Sequence, residues 1–322
     1  MTSSRRNSFE VRVPASTANL GAGFDCLGLA LDLHLTVRAT VLSEPDAQTQ
    51  VRIQGVSGSS RIPLMPEKNL IFRAMRHTAE RKRMRLPPVH LVVQNEIPVG
   101  AGLGSSAAAI VAGIALGFAV CGKRILENAA LSYGAEIEHH ADNIGAAYLG
   151  GFVLTLVRTD GSVVAIRIGW PKDIRAVVVT PVQPLETARS RAVLPKTVDR
   201  ADAVHNLQRA TLLVAALQER RYDLVWDAMQ DRLHQPYRQS LIPGLGDILT
   251  MPRMPGLLGI ALSGAGPSVV ALATEKFDEI GKAIAERFRR NKLKAEIRLL
   301  AVADDGFKIK GKGLRSSHRA AE

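Results

Sequence analysis

A chain of 322 residues with 46% hydrophobic residues predicts one large domain or two lobes, with enough apolar side chains for a core. Two cysteines, Cys26 and Cys121, are too few for a disulfide framework, and without a membrane-length apolar run or a signal peptide we expect a cytoplasmic protein with no membrane partner. The net charge of +12 comes from basic segments at 73–85, 287–294 and 308–319, which have few aromatic residues to stack on bases, so we expect no nucleic-acid partner.

The first predicted strand leads into a loop of small residues. Alternating apolar residues predict a strand over 9–13, and the segment PASTANLGAGFD that follows at 14–25 predicts a loop. Asn19 and Asp25 lie in this loop. Their ordinary interpretation is turn chemistry, because both side chains readily bond to nearby backbone.

A longer alternation at 31–41 predicts a half-buried strand and places His34 on its exposed face. A short strand near 51–53 is expected next. A helix is expected over 70–83, because apolar residues recur there at helical spacing. Asn69 stands immediately before that helix, so we expect its side chain to cap the helix.

The segment EIPVGAGLGSSAAA at 96–109 is the most informative part of the chain. It follows a predicted strand at 89–93 and begins a helix of small residues that reaches Val120, and this arrangement can hold a phosphate. Neither common phosphate motif fits, because no Lys follows the last glycine and the dinucleotide fingerprint is absent. The sequence therefore predicts a different nucleotide cradle; the ordinary alternative is a glycine-rich turn before a core helix. The residues expected to contact phosphate or cap the helix are Gly100, Gly102, Gly104, Ser105 and Ser106.

A cluster of acids, histidines and an amide, EIEHHADN at 136–143, overlaps the end of a helix predicted over 123–140. The adjacent histidines lack the i, i+4 spacing of a helical zinc site. A magnesium–nucleotide site needs only one or two carboxylates besides the substrate oxygens, and Glu138 or Asp142 could supply one. The alternative is a polar, solvated helix end.

The second half of the chain predicts a lobe of mixed helices and strands. A hairpin over 150–168 with a tight Asp-Gly turn precedes it, and the segment WPKD at 170–173 marks the boundary between the lobes. The predicted order βααββαβ is that of a split βαβ sandwich. Its loops carry Arg191 and Arg238, which are solvated charges unless they converge on an acidic substrate. The expected elements are strands at 174–180, 257–263, 268–273 and 295–302, and helices at 200–220, 222–233 and 277–290.

Three separated motifs together resemble the signature motifs of the GHMP small-molecule kinases: PASTANLGAGFD (14–25), PVGAGLGSSAA (98–108) and LSGAGPS (262–268). They stand in the order found in that family, and the resemblance extends from residue 9 to 302. The flanking segments EHHADN, TARSRAVLP and QPYRQSLIPG are similar to those of the homoserine kinases within the family. His139 and Ala141 depart from the family pattern, which more often has Gly and Pro there, and this affects the expected shape of the Mg²⁺ loop.

The resemblance implies an α+β fold of two lobes. An N-terminal ATP-binding lobe of the ribosomal-S5-domain-2-like type is expected at 8–170, a C-terminal ferredoxin-like (split βαβ) lobe at 171–305, and a flexible basic tail at 306–322. The same resemblance implies a kinase that uses ATP and Mg²⁺ to phosphorylate L-homoserine to O-phospho-L-homoserine, a step of threonine biosynthesis. It leaves open whether the protein forms a homodimer.

The site residues follow from the resemblance, position by position. Ser106 and Glu138 would hold Mg²⁺, and Arg191 would assist the reaction, while the role of Asp142 as a base stays open. Arg191 and Arg238 suit a substrate carboxylate, and Asp25 suits an ammonium group. The expected ATP contacts are Asn69, Pro98, Val99, Gly100, Ala101, Gly102, Leu103, Gly104, Ser105, Ser106, Ala107 and Ala108; the expected substrate contacts are Asn19, Asp25, Asn143, Thr187, Arg191, Arg238 and Gly264.

Two rival interpretations are open from the sequence. A kinase of the same superfamily with another alcohol as substrate would have no use for both Arg191 and Arg238 unless that alcohol carried a carboxylate. The first motif also lacks the Lys of mevalonate-type sites. A non-catalytic relative that only senses a ligand would be expected to lose the paired serines or Glu138, and this chain keeps them.

Overall fold

The computed structural model describes residues 7–44, 46–57 and 62–311, and the chain forms two sheets that are covered by helices. The strands of the first sheet are β1 (Ser8–Asn19), β2 (Gly23–Val41), β3 (Gln50–Val56), β4 (Val89–Asn95), β5 (Phe152–Val157), β6 (Val163–Ile168) and β11 (Lys308–Gly311). Their order is β11-β1-β2-β4-β3, and the β5–β6 hairpin joins this sheet where β5 pairs with β2. All pairs are antiparallel except β3 with β4.

β1 and β2 form one long hairpin whose turn lies at 20–22. Residues 14–19 continue β1 and pair with residues 23–34 of β2, so the loop predicted over 14–25 is wrong for most of its length. Small polar residues suggested a loop because they are common in turns, but here their size is what matters. Ser16 lies close to Gly104, the residue directly before the helix that begins at Ser105: a Cβ added to Gly104 would lie 2.0 Å from Ser16 Oγ. A larger residue at 16 would therefore push that helix away from β1.

His34 is half-buried instead of exposed, with 12% of its side chain accessible. Arg12 Nη2 donates to its Nδ1 at 2.9 Å. Burial first, and then the charge of Arg12, lower the pKa of His34. The alternation at 31–41 thus predicted the strand, but not the cover that neighbouring side chains give to its outer face.

Four helices pack on the first sheet: α1 (Leu70–Arg81), α2 (Ser105–Val120), α3 (Glu127–Glu138) and α4 (Asp142–Leu149). Helix α2 is apolar all round because neighbours surround it, and a Cβ added to its Gly113 would lie 2.3 Å from Ile71 O of α1. The helix predicted over 123–140 is shorter at both ends, and His139 ends it by adopting φ 69°. Asn69 caps α1 as predicted.

The second sheet contains β7 (Arg175–Pro181), β8 (Leu257–Leu262), β9 (Val269–Ala273) and β10 (Ala295–Leu300), all antiparallel in the order β10-β7-β9-β8. Two long helices, α6 (Arg200–Gln218) and α10 (Phe277–Arg290), connect its strands. This is the split βαβ arrangement that the sequence predicted, and the α+β fold of two lobes is confirmed.

Besides α4, which was not predicted, four short helices were missed or misplaced: α5 (Thr187–Ala192), α7 (Val225–Ala228), α8 (Gln235–Arg238) and α9 (Leu245–Leu249). The segments of α5 and α8 were predicted as loops, and the helix predicted over 222–233 is reduced to a 3₁₀ turn followed by α7. Helices of one turn are too short to show a period in the sequence. Pro236 occupies a first-turn position of α8, where proline is well tolerated.

The chain returns to the first lobe after β10. Asp32 N–H donates to Ala301 O (3.0 Å) and Ala303 N–H donates to Ala30 O (3.1 Å), after which β11 pairs with β1. The flexible tail predicted from 306 is therefore wrong for 308–311; residues 312–322 lie outside the described part. The strand was not predicted because two of the four residues in KIKG are lysines, although Ile309 is half-buried and packs against the core.

Two clusters of buried apolar side chains form the core of the protein. The larger packs the first sheet against α1–α4 and continues onto the face of the second sheet that α6 covers. The smaller lies between the other face of the second sheet and α9 and α10. Among the described residues, every helix is too short or too polar to cross a bilayer.

Candidate active site

A cavity of about 280 Å³ lies where the two lobes meet. The glycine-rich loop before α2, the β1–β2 turn and the turn between β8 and β9 border it, together with α5, α8 and the start of α4. All site residues predicted from the sequence line this cavity except Ala107 and Ala108. The side chains of these two alanines are fully buried in the core, because on α2 they face the sheet, and Ala109 lines the cavity instead.

The glycine-rich loop presents its backbone to the cavity. Gly100, Gly102 and Gly104 all adopt positive φ, 71°, 78° and 67°, which alternates the direction of the peptide groups as in an anion-binding nest. The N-cap residue of α2 is Gly104, which has no side chain to bond the first N–H groups, so the expectation that Ser105 or Ser106 would cap the helix is wrong. Those N–H groups and the positive end of the helix dipole remain for an anion.

The loop is held from both sides by the other two glycine-containing motifs. Ser16 N–H, on β1, donates to Leu103 O (3.1 Å). Ser263 Oγ, at the end of β8, donates to Gly102 O (2.7 Å). A Cβ on Gly102 would lie 2.3 Å from Ser263 O, so only glycine allows this approach. The three motifs that are far apart in the sequence thus build one structure.

Asn69 lines the cavity, but its polar atoms already have partners. Its Oδ1 accepts from Ile71 N–H and Phe72 N–H, and its Nδ2 donates to Pro63 O at 2.8 Å. The residue is fully buried. Helix capping is therefore what its side chain does in the structure, and a contact with adenine stays a prediction.

Ser106 and Glu138 meet at the start of α2, where Ser106 Oγ donates to Glu138 Oε2 at 2.6 Å. No cluster of three or more His, Cys, Asp and Glu ligands occurs in the described part of the chain. A magnesium ion bound with a nucleotide does not need such a cluster, since phosphate oxygens and water fill most of its positions. One carboxylate and one hydroxyl beside an anion nest fit that kind of site.

His140 links Glu138 to Asp142. Its Nδ1 lies 2.6 Å from Asp142 Oδ1, and its Nε2 lies 3.9 Å from Glu138 Oε1. Burial acts to lower the pKa of His140, but the hydrogen bond and charge of Asp142, with the charge of Glu138, raise it overall. Asp142 Oδ1 also accepts from Asn143 N–H (2.7 Å), and Asn143 Oδ1 accepts from Ser16 Oγ (2.8 Å).

Asp25 and Arg191 form a bidentate ion pair across the lobes, with N–O distances of 2.6 Å and 3.1 Å. About a third of each side chain is exposed. Asp25 has positive φ, and its N–H donates to Asn19 Oδ1, while Asn19 Nδ2 donates to Gly264 O. Asp25 and Arg191 therefore bind each other in the structure, whereas the sequence predicted that Asp25 binds the ammonium group of the substrate and Arg191 its carboxylate.

Arg238 is 1% exposed, and its guanidinium lines the same cavity. It donates to Ser190 O (3.2 Å), to Gly264 O (2.9 Å) and to His234 Nδ1 (3.0 Å). None of these acceptors carries a negative charge. Burial first, and then the nearby charge of Arg191, lower the pKa of Arg238 to about 10, so it stays charged at neutral pH. The group is a buried cation that lacks a bonded carboxylate among the described residues.

Sequence reasoning missed three residues of the site. Phe24 lies beneath both arginines, with Arg191 Cζ and Arg238 Cζ at 5.7 Å and 5.5 Å from its ring centre. His140 was considered only as half of a zinc pair, and His234, which directly follows the helix predicted over 222–233, was given no role. Each stands inside or next to a quoted motif, but only the fold shows which way its side chain points.

Comparisons with known proteins agree with this geometry. Residues 69–151 match the family description "GHMP kinases N terminal domain", and 213–290 match "GHMP kinases C terminal". The chain is 40% identical to the homoserine kinase of Solibacter usitatus over 94% of its length and 97% of that protein, and 38% identical to that of Saccharomyces cerevisiae over 94% and 98%. The crystal structure of homoserine kinase from Cytophaga hutchinsonii superposes with a TM-score of 0.81 at 30% identity, covering 96% and 99% of the two chains. A mevalonate kinase structure at 16% identity shares the fold, with a TM-score of 0.64.

Proposed function

The chain belongs to the homoserine kinases of the GHMP kinase family, and we propose that it carries out their reaction in the cavity between its two lobes. It transfers the γ-phosphoryl group of ATP, used with Mg²⁺, to the hydroxyl of L-homoserine, a step of threonine biosynthesis. The observation that carries the proposal is that an anion nest and a buried arginine, which donates to neutral acceptors, line the same cavity. The nest suits a triphosphate, and the arginine suits a carboxylate.

We assign the triphosphate to the main-chain N–H groups of residues 99–106. The positive φ angles of alternate glycines and the start of α2 at Gly104, which has no side chain to bond the first N–H groups, support this assignment, because both can present N–H groups to an anion. Hydrogen bonds from the β1 strand and the β8–β9 turn hold the loop before any ligand arrives. Such preorganised dipoles stabilise the charge that develops during phosphoryl transfer.

Ser106 and Glu138 are the proposed magnesium ligands, supported by their 2.6 Å contact at the end of the nest. When bound, the metal supplies neutralisation of charge on the phosphate oxygens. The hydrogen bond between the hydroxyl and the carboxylate keeps both oxygens at this end of the cavity. His140 lies between the two carboxylates, with its ring nitrogens 3.9 Å from Glu138 Oε1 and 2.6 Å from Asp142 Oδ1.

For the amino-acid substrate, we propose that Arg238 binds the carboxylate and that Asp25 binds the ammonium group. Arg238 has neutral partners only, so its charge is available to an anion. Asp25 is paired with Arg191, so bound homoserine would replace this ion pair with two new ones. Its ammonium group would bind Asp25, and its carboxylate would bind Arg191 in addition to Arg238. Asn19, Asn143, Thr187 and Gly264 line the same part of the cavity.

We propose Asp142 as the candidate base. Its Oδ1 accepts hydrogen bonds from His140 and from Asn143 N–H, which fix the position of the carboxylate. Phosphoryl transfer depends mainly on position and charge neutralisation, so a strong base is not needed. We propose that Asp142→Asn lowers turnover far less than loss of the magnesium carboxylate does.

An assay of ADP release across L-homoserine, mevalonate and galactose tests the function. We expect turnover with L-homoserine alone, because neither mevalonate nor galactose offers an ammonium group for Asp25. Comparable kcat/KM for either rival substrate would contradict the proposed substrate site. The cytoplasmic location expected from the sequence and a homodimer are further proposals, to be tested by cell fractionation and light scattering.

A further inference from the structure

A buried histidine outside the phosphate and magnesium sites holds Arg238 in place. His234 is fully buried four residues before Arg238, and its Nδ1 lies 3.0 Å from Arg238 Nη1. Its other ring nitrogen, Nε2, lies 2.9 Å from Gly21 O, in the turn between β1 and β2. The imidazole therefore joins the arginine of the second lobe to the backbone of the first.

The two partners determine where the ring carries its hydrogen. A carbonyl oxygen can only accept, so Nε2 must donate to Gly21; a guanidinium can only donate, so Nδ1 must be unprotonated. One neutral tautomer satisfies both contacts. A second proton on Nδ1 would point a hydrogen at the guanidinium and place two cations in contact.

The surroundings keep this ring fixed. Asp231, whose side chain is fully buried, accepts from the backbone N–H groups of Leu233, His234 and Gln235 at 3.0, 3.0 and 2.7 Å, so it holds the backbone that carries the imidazole. The ring also stacks on Phe24 with centres 5.0 Å apart. The same phenyl ring lies under the Arg238 guanidinium.

We propose that His234 is a positioning residue for substrate recognition: its unprotonated Nδ1 holds the Arg238 guanidinium in the orientation that receives the carboxylate of the amino-acid substrate. The inference rests on the proposed role of Arg238. Three neutral acceptors, Ser190 O, Gly264 O and His234 Nδ1, fix the plane of the guanidinium without using up its charge. Without Nδ1, the guanidinium loses one of these three anchors, which weakens forked recognition of a carboxylate.

A pair of amide variants separates the two ring nitrogens. In His234→Asn the amide oxygen can stand near the position of Nδ1 and keep an acceptor for Arg238, but the contact with Gly21 is lost. In His234→Gln the longer amide can reach Gly21, but the acceptor for Arg238 is lost. The measurements are KM for L-homoserine, KM for ATP and kcat, with ADP release as the signal.

We expect His234→Gln to raise KM for homoserine about tenfold or more, and His234→Asn to raise it less than about threefold, with KM for ATP little changed in both. A purely structural role would not give this split, because partial unfolding lowers the active fraction and therefore the apparent kcat, but leaves KM unchanged. Equal effects of the two amides on KM for homoserine, or no effect of His234→Gln, would overturn the proposal.

A double-mutant cycle with Arg238→Ala completes the test. If His234 acts through Arg238, the glutamine variant should cost almost nothing more in kcat/KM for homoserine once Arg238 is removed. If His234→Gln lowers kcat/KM for homoserine as much in the Arg238→Ala background as in the parent protein, the proposal that His234 acts through Arg238 is overturned. If Arg238→Ala itself leaves KM for homoserine unchanged, the proposed role of Arg238 fails, and the role of His234 fails with it. If Arg238→Ala raises KM for homoserine but the two amide variants of His234 behave alike, only the role of His234 fails.

Discussion

The partners of each charged side chain in the cavity decide what that side chain can bind. Arg191 and Arg238 lie over the same Phe24 ring, yet Arg191 is neutralised by Asp25 and Arg238 has only neutral acceptors. A ligand anion must displace a bonded carboxylate to reach the first, whereas at the second it meets a buried cation whose hydrogen-bond acceptors are neutral. Arg238 is therefore the stronger anchor of the two.

At the residue scale, Glu138→Gln should lower kcat about 100-fold and raise the magnesium concentration needed for half-maximal activity. The amide keeps the size of the side chain but removes the charge that a divalent cation needs. The measurement is a magnesium titration of initial rates, with thermal unfolding to show that the fold is kept.

Glu136→Gln is the matched control for this change. Glu136 stands one half-turn earlier on α3 and is bound to His77 and Arg81, outside the cavity. We expect its kcat and magnesium requirement to stay within about twofold of the parent protein, since a surface ion pair contributes little. A parent-like magnesium titration of Glu138→Gln would remove Glu138 from the metal site.

The neutral state of His234 predicts how stability depends on pH. Burial first, and then Arg238, lower the pKa of His234, while Asp231 and Asp25 act in the opposite direction. Below pH 6.5 the unfolded chain therefore binds a proton at this histidine that the folded chain does not, so stability falls as the pH falls, by at most about 1.4 kcal/mol per pH unit from this group.

The test compares the free energy of unfolding at pH 7.5 and pH 5.5 for the parent protein and His234→Asn, by denaturant titration. We expect the parent to lose about 1 kcal/mol more than the variant over this interval. The other titrating groups, including His140 with its opposite shift, are common to both proteins and cancel in the difference. An equal loss would mean that His234 is already protonated in the folded state.

At the scale of elements, the glycine loop depends on close packing as well as on backbone conformation. Gly102→Ala should destabilise the fold by about 2–4 kcal/mol and raise KM for ATP, because its Cβ would overlap Ser263 O and its φ of 78° is unfavourable for alanine. The measurements are denaturant unfolding and ATP-dependent rates.

Gly122→Ala serves as the control for backbone strain alone. Gly122 also has positive φ, 65°, but a Cβ there would meet nothing within 4 Å. We expect a cost of about 1 kcal/mol and an unchanged KM for ATP. If both variants lost the same stability, the contact with Ser263 would not be what requires glycine at 102.

At the scale of the whole molecule, the chain end ties the second lobe back to the first. A chain ending at Gly311 should be more stable than one ending at Phe307 by roughly 2–4 kcal/mol, because the shorter chain loses the hydrogen bonds between β11 and β1. Thermal unfolding of the two truncated proteins, measured side by side, tests this. Identical midpoints would show that β11 adds nothing to the first sheet.

The sequence by itself determined the long elements and the glycine loop. Helical periodicity predicted α1 and α10, because an amphipathic helix must place apolar residues every three or four positions; strand alternation predicted much of β2, and three glycine motifs identified the family. Nearly all the predicted site residues line the cavity because the motifs carry them, but other lining residues, such as Phe24 and His140, were not predicted. Ala107 and Ala108 do not line it, because a motif does not say which face of a helix is buried.

Tertiary structure alone decided the rest. One-turn helices such as α5 and α8 have no period to read, and contacts with other segments hold them; the strand in KIKG forms because β1 offers it an edge. The Asp25–Arg191 pair and the His234–Arg238 contact join residues from different segments of the chain, and His234 also reaches Gly21 in the other lobe. Residue type shows which groups can bind one another, but only the packed chain sets the distances at which they do.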